Sequence, residues 1–313
     1  MPFKKKAQVF NAAIKTLTIG SGEKAITLGG QNVNNLYAFD AEIANAPKVG
    51  VEISDLGVEG AAEGIVEFYA GCTTVADMAK KASEMEGADF ICIKFDGADP
   101  NGQDKSVEEC VEIAKAVAEA TDMPLAFMGC KNAEKDAELF NKISEALQGK
   151  NILVLSAKEE NYKGVGAAAG LAYGQKVGAE SAVDINLAKQ LNVLLTQLGV
   201  SGDNIAMNVG SAAVGYGFEY VVSTLERVKG AALTQNDAML QMPIVTPVAS
   251  DTWGVKESLA SEEDMPAWGP KEDRGVGMEI TTAVACLAYG SDAVILKHPK
   301  SVATVSAMIK ALV

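Results

Sequence analysis

The sequence predicts an α/β protein: an eight-stranded parallel (β/α)8 barrel of the TIM type, preceded by an N-terminal β-hairpin extension. From residue 47 onward, short apolar strands alternate strictly with helical segments, and eight such units are present. Strands such as residues 89–95 (DFICIKF) are almost continuously apolar, as expected when helices cover the sheet. Strict alternation implies a parallel sheet with right-handed crossovers, and eight units favour closure. An open, doubly wound sheet is the alternative, because the pattern alone does not fix closure.

Each unit pairs a predicted strand with the helix that follows it. The predicted strands are 49–53, 89–95, 125–129, 152–155, 179–182, 205–209, 244–248 and 293–297. The predicted helices are 73–85, 106–120, 133–147, 160–176, 185–198, 219–232, 277–289 and 302–312. Ser106 stands three residues before Glu109, which predicts a capping box at the start of its helix.

A hairpin is predicted ahead of the repeating units. Residues 16–19 and 25–28 have weak strand character and flank Gly20-Ser21-Gly22. We expect this hairpin to cap the bottom of the barrel. The predicted domains are therefore an extension over residues 1–46 and a barrel over residues 47–313.

Composition excludes several classes of function. The chain has 313 residues and a formal net charge of −14, which disfavours binding to nucleic acid or anionic membranes. No apolar run approaches the roughly 20 residues of a membrane helix, and no apolar segment follows the basic residues 4–6 as in a signal peptide. We therefore expect a cytoplasmic protein.

Cysteine and histidine content argues against a metal centre held by this chain. The five cysteines form no CxxC pair, which disfavours disulfide frameworks, zinc ribbons and iron–sulfur clusters. Cys130, just past a predicted strand end, is the one cysteine with a candidate direct role; the others are expected to be small hydrophobes. His298 is the only histidine, so no multi-histidine metal site is possible.

In barrels of this kind, functional residues follow the C-terminal ends of the strands. Asp96 occupies such a position and suits proton transfer or amide binding, although Asp-Gly also tightens turns. Residues 208–217 (NVGSAAVGYG) form a small, glycine-rich loop that would let backbone approach a large flat ligand, or simply turn the chain. His298 either contacts a ligand or is a rim residue whose ring nitrogens form hydrogen bonds within the chain.

The long segment after the seventh barrel strand, about residues 249–274, contains both tryptophans of the chain, Trp253 and Trp268. Long loops in compact domains are usually functional, and tryptophans are favoured anchors at interfaces. The segment therefore predicts a contact with a partner or cofactor. The alternative is a loop packed on its own barrel.

Several segments together resemble a known family. They are GADFICIKFDGADPNG, SAVDINLAKQLN, NVGSAAVGYGFEY, TWGVKE, AWGPKEDRG and GSDAVILKHPKSV. These are similar to segments of the small (delta) subunit of the corrinoid iron–sulfur protein of the acetyl-CoA synthase/decarbonylase (Wood–Ljungdahl) system. The resemblance extends over nearly the whole chain.

The resemblance implies a barrel related to pterin-binding methyltransferases and a heterodimer with a large (gamma) subunit. That partner would carry the [4Fe–4S] cluster and a corrinoid-binding domain, with the corrinoid (cobalamin) at the interface above this barrel. A separate methyltransferase would pass a methyl group from methyltetrahydrofolate to Co(I), and the carrier would deliver it to acetyl-CoA synthase during carbon fixation. This chain would then be a non-catalytic carrier subunit.

The barrel-rim rule, more than the resemblance, nominates the site residues. We expect corrinoid contacts from Asp96, Asn186, Asn208, Gly210, Ser211, Tyr216, Gly217 and His298, and partner contacts from Trp253 and Trp268. The alternative function is a pterin-dependent methyltransferase acting on its own through the Asp96, Asn186 and Asn208 set. A sugar- or acid-metabolising barrel enzyme is disfavoured, because no catalytic histidine pair and no phosphate-binding Lys/Arg cluster is present.

Overall fold

The structure, a computed structural model, describes residues 6–313 of the chain. Its strands are β1 (Leu17–Ile19), β2 (Ile26–Leu28), β3 (Lys48–Ser54), β4 (Phe90–Lys94), β5 (Leu125–Met128), β6 (Leu153–Ala157), β7 (Lys176–Glu180), β8 (Ile205–Asn208), β9 (Val245–Pro247) and β10 (Ala293–Leu296). Its α-helices are α1 (Glu63–Phe68), α2 (Val75–Ala82), α3 (Val107–Ala120), α4 (Ala133–Ala146), α5 (Tyr162–Val165), α6 (Ile185–Leu198), α7 (Phe218–Thr234), α8 (Ala249–Thr252), α9 (Lys256–Leu259), α10 (Lys271–Tyr289) and α11 (Pro299–Leu312).

Strands β3 to β10 are parallel and lie in the order β8-β7-β6-β5-β4-β3-β10-β9. The two ends of this sheet meet through a parallel bridge between Met207 and Ile244, and the Met207 N–H donates to the Pro243 carbonyl at 2.8 Å. The sheet therefore curls into a nearly closed barrel with helices between its strands. The predicted (β/α)8 architecture is confirmed, and the open sheet is excluded.

Local signals set most element boundaries. Ser106 and Glu109 form the predicted capping box of α3, and α6 spans the predicted residues 185–198, with the Asp184 side chain capping its first turn. The fifth barrel strand was predicted too late: β7 begins at Lys176. The helix predicted over 160–176 ends earlier, as α5 followed by a π-helix, Gly166–Ala172.

Two further helical segments depart from the prediction. Helix α1 falls in a Gly- and Glu-rich stretch that has no helical signal, and the long segment 249–274 is not structureless. It contains α8, α9 and a short 3-10 helix, Pro266–Trp268, and α10 begins at Lys271, six residues before the predicted start. None of the helices within residues 6–313 has both the length and the apolar character required to cross a bilayer.

The N-terminal hairpin packs at the N-terminal ends of the barrel strands. Its antiparallel strands β1 and β2 place Leu17, Ile19, Ile26 and Leu28 in one buried cluster with inward-facing strand residues such as Phe90 and Leu153. The Asn151 amide, just before β6, donates to the carbonyls of Thr18 and Gly20 at 2.9 and 2.8 Å. This packing is the arrangement that a bottom cap requires. The domain boundary between residues 46 and 47 stays a prediction.

A buried ionic network lies at the same end. Asp292, which precedes β10, accepts hydrogen bonds from Lys229 Nζ of α7, from Gln31 Nε2 and from the Ile244 N–H, all at 2.6–2.7 Å. Lys229 and Asp292 are both buried. Burial lowers the pKa of Lys229, and the Asp292 carboxylate opposes that effect. One carboxylate thus joins the N-terminal extension, α7, β9 and β10.

Candidate functional site

Polar side chains fill the upper interior of the barrel, where the C-terminal strand ends meet. Strand β3 alternates: Val49, Val51 and Ile53 pack toward the helices, and Glu52 lies between them on the opposite face. Glu52 is buried, and the Ser250 hydroxyl of α8 donates to its carboxylate at 2.8 Å. A carboxylate is therefore held inside the barrel beneath its mouth.

Lys94, at the end of β4, completes a charged cluster beside Glu52. Its Nζ lies 2.9 Å from Asp96 Oδ1, and the Ser54 hydroxyl donates to Asp96 Oδ2 at 2.7 Å. Burial lowers the pKa of Lys94, but the carboxylates of Glu52 and Asp96 outweigh burial, so that the pKa is raised overall. Asp96 therefore lies at the mouth as predicted, but it is already paired with a lysine and a hydroxyl.

Asn208, at the end of β8, forms part of the floor of a mouth cavity. Its amide donates to Ser156 Oγ at 3.1 Å, and its Oδ1 accepts the Gly210 N–H at 3.1 Å. Gly210 has a φ of +87°, and a Cβ there would lie 3.0 Å from the Val183 side chain, so glycine allows this turn. The predicted glycine-rich loop thus folds over the strand end.

The mouth cavity has a volume of about 230 Å³. Its lining includes Asn208, Gly210 and Ser211 together with the charged side chains of Lys131, Lys158, Glu180 and Asp251, which are not among the eight predicted corrinoid contacts. Lys158 Nζ lies 3.7 Å from Glu180 Oε1. Burial raises the pKa of Asp251, and the positive charge of Lys131 partly opposes this increase. The cavity therefore offers both hydrogen-bond donors and acceptors to a ligand.

Five of the eight predicted corrinoid contacts lie outside the lining of this cavity, namely Asp96, Asn186, Tyr216, Gly217 and His298. Asn186 is exposed in the first turn of α6, and its N–H donates to the Asp184 carboxylate. Gly217 precedes α7 with a φ of +79°. The Tyr216 hydroxyl donates to Glu257 Oε2 at 2.6 Å, which ties the loop after β8 to the long segment after β9. The structure thus brings together Asn208, Gly210 and Ser211 around the cavity, but not the other five.

His298 is buried behind the rim. Its Nδ1 accepts the Lys300 N–H at 3.1 Å, so its proton lies on Nε2, 2.8 Å from Glu272 Oε1. The ring stacks on Trp253 with centroids 5.8 Å apart. Both ring nitrogens are engaged by this chain itself, which leaves neither for a ligand in this arrangement.

The two tryptophans have different environments. Trp253 is half-buried between His298 and α10, where a Cβ on Gly275 would lie 2.3 Å from its ring. Trp268 is 40% exposed, with Lys256 Nζ 5.4 Å and Arg274 Cζ 5.7 Å from its ring centroid. Trp253 therefore packs on its own barrel, and Trp268 is the tryptophan presented to the outside.

Trp268 is one of several large apolar side chains exposed at this end of the barrel. All follow the C-terminal ends of strands, and we call them the mouth-face apolar set: Leu56, Tyr216, Tyr220, Leu259 and Trp268. Aromatic side chains are enriched at protein interfaces, so these exposed residues are candidates for contact with a partner.

Cys130 lacks the environment of a reactive thiol. Its Sγ lies 3.3 Å from the buried Asp136 carboxylate, and burial, followed by that carboxylate, raises the thiol pKa to about 11 from 9.0. We expect its thiolate fraction at pH 7.5 to be about 100-fold below that of an unperturbed cysteine, so that iodoacetamide labels it correspondingly slowly. The urea-unfolded chain is the control; equal labelling rates in folded and unfolded chains would contradict this environment.

The prediction missed Glu52, Lys94 and Glu180 as residues of the barrel interior and mouth. A signal existed in β3, where Gly50, Glu52 and Ser54 alternate with Val49, Val51 and Ile53. Within residues 6–313, no group of three or more His, Cys, Asp or Glu side chains is arranged to hold a metal ion.

Comparison with known proteins identifies the family. A family model described as the CO dehydrogenase/acetyl-CoA synthase delta subunit matches residues 16–307. The delta 1 subunit of the acetyl-CoA decarbonylase/synthase complex of Methanosarcina thermophila is 32% identical over 304 residues, covering 94% of this chain and 67% of that protein. The delta subunit of Methanothermobacter thermautotrophicus is 31% identical over 306 residues, covering 95% and 77% respectively.

Among solved structures, the dihydropteroate synthase of Yersinia pestis superposes with a TM-score of 0.55 over 95% of this chain and 98% of that chain, at 14% identity. A likeness at this identity concerns the fold alone, and it agrees with the observed barrel. The matches over nearly all of the chain carry the identification. The chain therefore belongs to the family of CO dehydrogenase/acetyl-CoA synthase delta subunits.

Proposed function

We propose that this chain is the small subunit of a cytoplasmic, heterodimeric corrinoid iron–sulfur methyl carrier. Its barrel mouth would cover a corrinoid carried by a large subunit while a methyl group passes from methyltetrahydrofolate to cobalt and on to acetyl-CoA synthase. The observation that carries this proposal is the combination of family membership with the mouth-face apolar set around a polar interior cavity.

The dimensions and composition of the mouth suit a corrinoid lying over it. The cavity of about 230 Å³ is below the usual 300–1,000 Å³ range of ligand pockets, so only an edge group of the macrocycle would enter. The amide-bearing rim of a corrin would meet donors and acceptors there, including Asn208, Ser211 and Lys158. Bound cobalt would supply a nucleophile that accepts and releases a methyl group.

The donor set of this chain is consistent with metal ligation by the partner. His298 is buried with both ring nitrogens engaged, so it is not arranged to ligate a metal ion. Cys92, Cys110 and Cys286 are buried free thiols, and the described residues form no cluster of metal ligands. In the proposed complex, the large subunit would carry both the [4Fe–4S] cluster and the corrinoid-binding domain. The role of this chain would be to cover, orient and exclude water.

Purification of the tagged chain from its native source tests the proposal. We expect a second, larger subunit at equal stoichiometry and the visible absorbance of a corrinoid. A chain that is isolated alone and colourless, under conditions that preserve other complexes, would contradict the proposal.

Substitution of the exposed aromatics provides a sharper test. Trp268→Ala and Tyr220→Ala should each weaken large-subunit binding by about tenfold or more, because aromatic anchors dominate interface energies. Tyr289→Ala is the matched control, since Tyr289 is 43% exposed but lies at the C-terminus of α10, at the opposite end of the barrel. Binding would be measured by titration of the large subunit, with urea unfolding as the stability check. Equal effects of the three variants would contradict a mouth-face interface.

A pterin-dependent methyltransferase acting alone is the second candidate, and the volume of the cavity favours it. A space of about 230 Å³ with donors and acceptors suits a bicyclic heterocycle better than a macrocycle. Calorimetric titration of the isolated chain with methyltetrahydrofolate separates the candidates. Saturable heat that Asn208→Ala abolishes would support this function, and absence of heat would exclude it.

A further inference from the structure

Two segments that meet at the barrel mouth are joined by a side-chain hydrogen bond. The Tyr216 hydroxyl, in the loop between β8 and α7, donates to Glu257 Oε2 of α9 at 2.6 Å, and we call this hydrogen bond the mouth clasp. Both segments contribute to the mouth-face apolar set, since Tyr216 lies in the first and Leu259 and Trp268 lie in the second. The mouth clasp therefore connects parts of the candidate partner surface that are 41 residues apart in the sequence.

The backbone beside Tyr216 leaves room for several positions of its ring. Gly215 and Gly217 flank it with φ values of +89° and +79°, in a region that glycine reaches at little cost. The loop is anchored two residues earlier, where the Val214 N–H donates to Thr282 Oγ1 of α10 at 3.2 Å. The mouth clasp supplies a further restraint beyond that anchor, on the side of the loop that faces the long segment after β9.

The other end of the mouth clasp rests on a supported turn. Helix α9 has only four residues, so its position depends on contacts with its surroundings rather than on its own stability. The Ser258 hydroxyl donates to the Thr252 carbonyl at 2.6 Å, which holds α9 against α8. Arg274 Nη2 donates to the Ala260 carbonyl at 2.7 Å, which ties the end of the same turn to α10. The acceptor of the mouth clasp is therefore fixed from beneath.

Glu257 also lies beside the two cations that flank Trp268. Lys256 Nζ and Arg274 Cζ are 5.4 and 5.7 Å from the centroid of the Trp268 ring. The Tyr216 hydroxyl lowers the pKa of Glu257, the positive charges of Lys256 and Arg274 act in the same direction, and the hydrogen bond raises the pKa of Tyr216. At neutral pH a protonated hydroxyl therefore meets a charged carboxylate, which makes the mouth clasp a charge-assisted hydrogen bond.

We propose that the mouth clasp positions the two segments for binding of the corrinoid-carrying large subunit, so that Tyr216, Leu259 and Trp268 form one preformed surface. A surface whose parts are already held together loses less conformational entropy on binding than one that the partner must order. Tyr216 and Glu257 are thus positioning residues, which act through the surface that they hold. This inference rests on the proposed function above, because it names residues that control that same interface.

A double-mutant cycle in large-subunit binding tests the mouth clasp. Tyr216→Phe keeps the ring and removes the hydroxyl, and Glu257→Ala removes the acceptor. Each should weaken binding by about fivefold, since the partner must then order the two segments. The double variant should also be about fivefold weaker than wild type, because the second substitution removes nothing that the first has left intact. A loss of about 25-fold, the product of independent effects, would mean that the two side chains contact the partner separately and would overturn the inference.

Two further variants separate positioning from a general loss of structure. Glu257→Gln retains an oxygen that accepts the Tyr216 hydroxyl, so binding should stay within about twofold of wild type. Tyr289→Phe is the matched control, because it removes a hydroxyl from a side chain of similar exposure, 43% against 46%, at the opposite end of the barrel. It should change binding by about twofold or less. A loss in Glu257→Gln as large as in Glu257→Ala would contradict a role for the hydrogen bond itself.

Hydrogen exchange in the isolated chain supplies a measurement that needs no partner. The N–H groups of Tyr216 and Leu259 donate to the carbonyls of Ala213 and Val255 at 2.9 and 3.1 Å. Both should exchange about fivefold faster in Tyr216→Phe, because local opening costs less without the mouth clasp. Unchanged exchange would overturn the inference even where the wild-type complex carries a corrinoid. Absence of any corrinoid-bearing complex with the wild-type chain would instead refute the proposed function, and the binding role of the mouth clasp with it.

Discussion

Asp292→Ala is expected to lower the free energy of unfolding by about 3–5 kcal/mol, as measured by urea denaturation at neutral pH. The substitution leaves the Lys229 ammonium buried without its counter-charge and removes the acceptor of Gln31 Nε2 and of the Ile244 N–H. Breaking one side of a buried ion pair costs far more than the net contribution of the intact pair, because the remaining charge is poorly solvated.

Glu112→Ala is the control for this prediction. Glu112 forms an exposed ion pair with Lys115 in α3 at 2.7 Å, and loss of such a pair is expected to cost less than about 1 kcal/mol. Similar losses in the two variants would mean that the Lys229–Asp292 pair does not join the extension, α7 and the barrel strands as described.

The second large effect concerns pH. Glu279, buried in α10, accepts the N–H groups of Lys297 and His298 at 2.7 and 3.2 Å. Burial raises its pKa from 4.5 to about 7 despite these donors. Between these two values the folded chain binds more protons than the unfolded chain, so stability falls as pH rises. The contribution of protonated Glu279 to the free energy of unfolding is fully present below pH 4.5 and is lost above about pH 7.

We expect this single group to reduce the free energy of unfolding by about 3 kcal/mol between pH 4.5 and 7.5. Glu279→Gln does not titrate, so the difference between wild type and variant across this range isolates the effect from other groups. Parallel pH profiles for the two chains would contradict a raised pKa at Glu279.

The barrel could be predicted from the sequence because its signals are local. Apolar strands alternate with helices, and boundaries such as those of α6 follow from a capping side chain next to an apolar periodic segment. Strand β7 was placed late because Gly178 dilutes its apolar pattern. Glycine is required at position 178 because a Cβ there would lie 2.4 Å from Cδ2 of Leu155, a residue far away in the sequence.

The site was less predictable, because it depends on contacts between segments far apart in sequence. The rim rule located Asp96, Asn208 and Gly210 at the mouth, since these residues lie at the C-terminal ends of strands or within two residues after them. It does not reveal that Trp253 covers His298, or that Tyr216 bonds Glu257, because both contacts depend on how the segment after β9 folds back. Glu52, the interior glutamate of β3, was not predicted, although the alternation of valine and isoleucine with smaller or polar residues along β3 indicates its orientation.

The hairpin packed beneath the strands closes the N-terminal end of the barrel with apolar side chains. Leu17, Ile19, Ile26 and Leu28 fill the end opposite the charged interior, so exchange with solvent is directed to the upper opening. A partner that covers this one opening would exclude water from the interior. Electrostatic interactions among the charged side chains there would then be stronger, because the effective dielectric constant would be lower. A reactive group carried by that partner would be protected from water without a separate mobile segment to close over it.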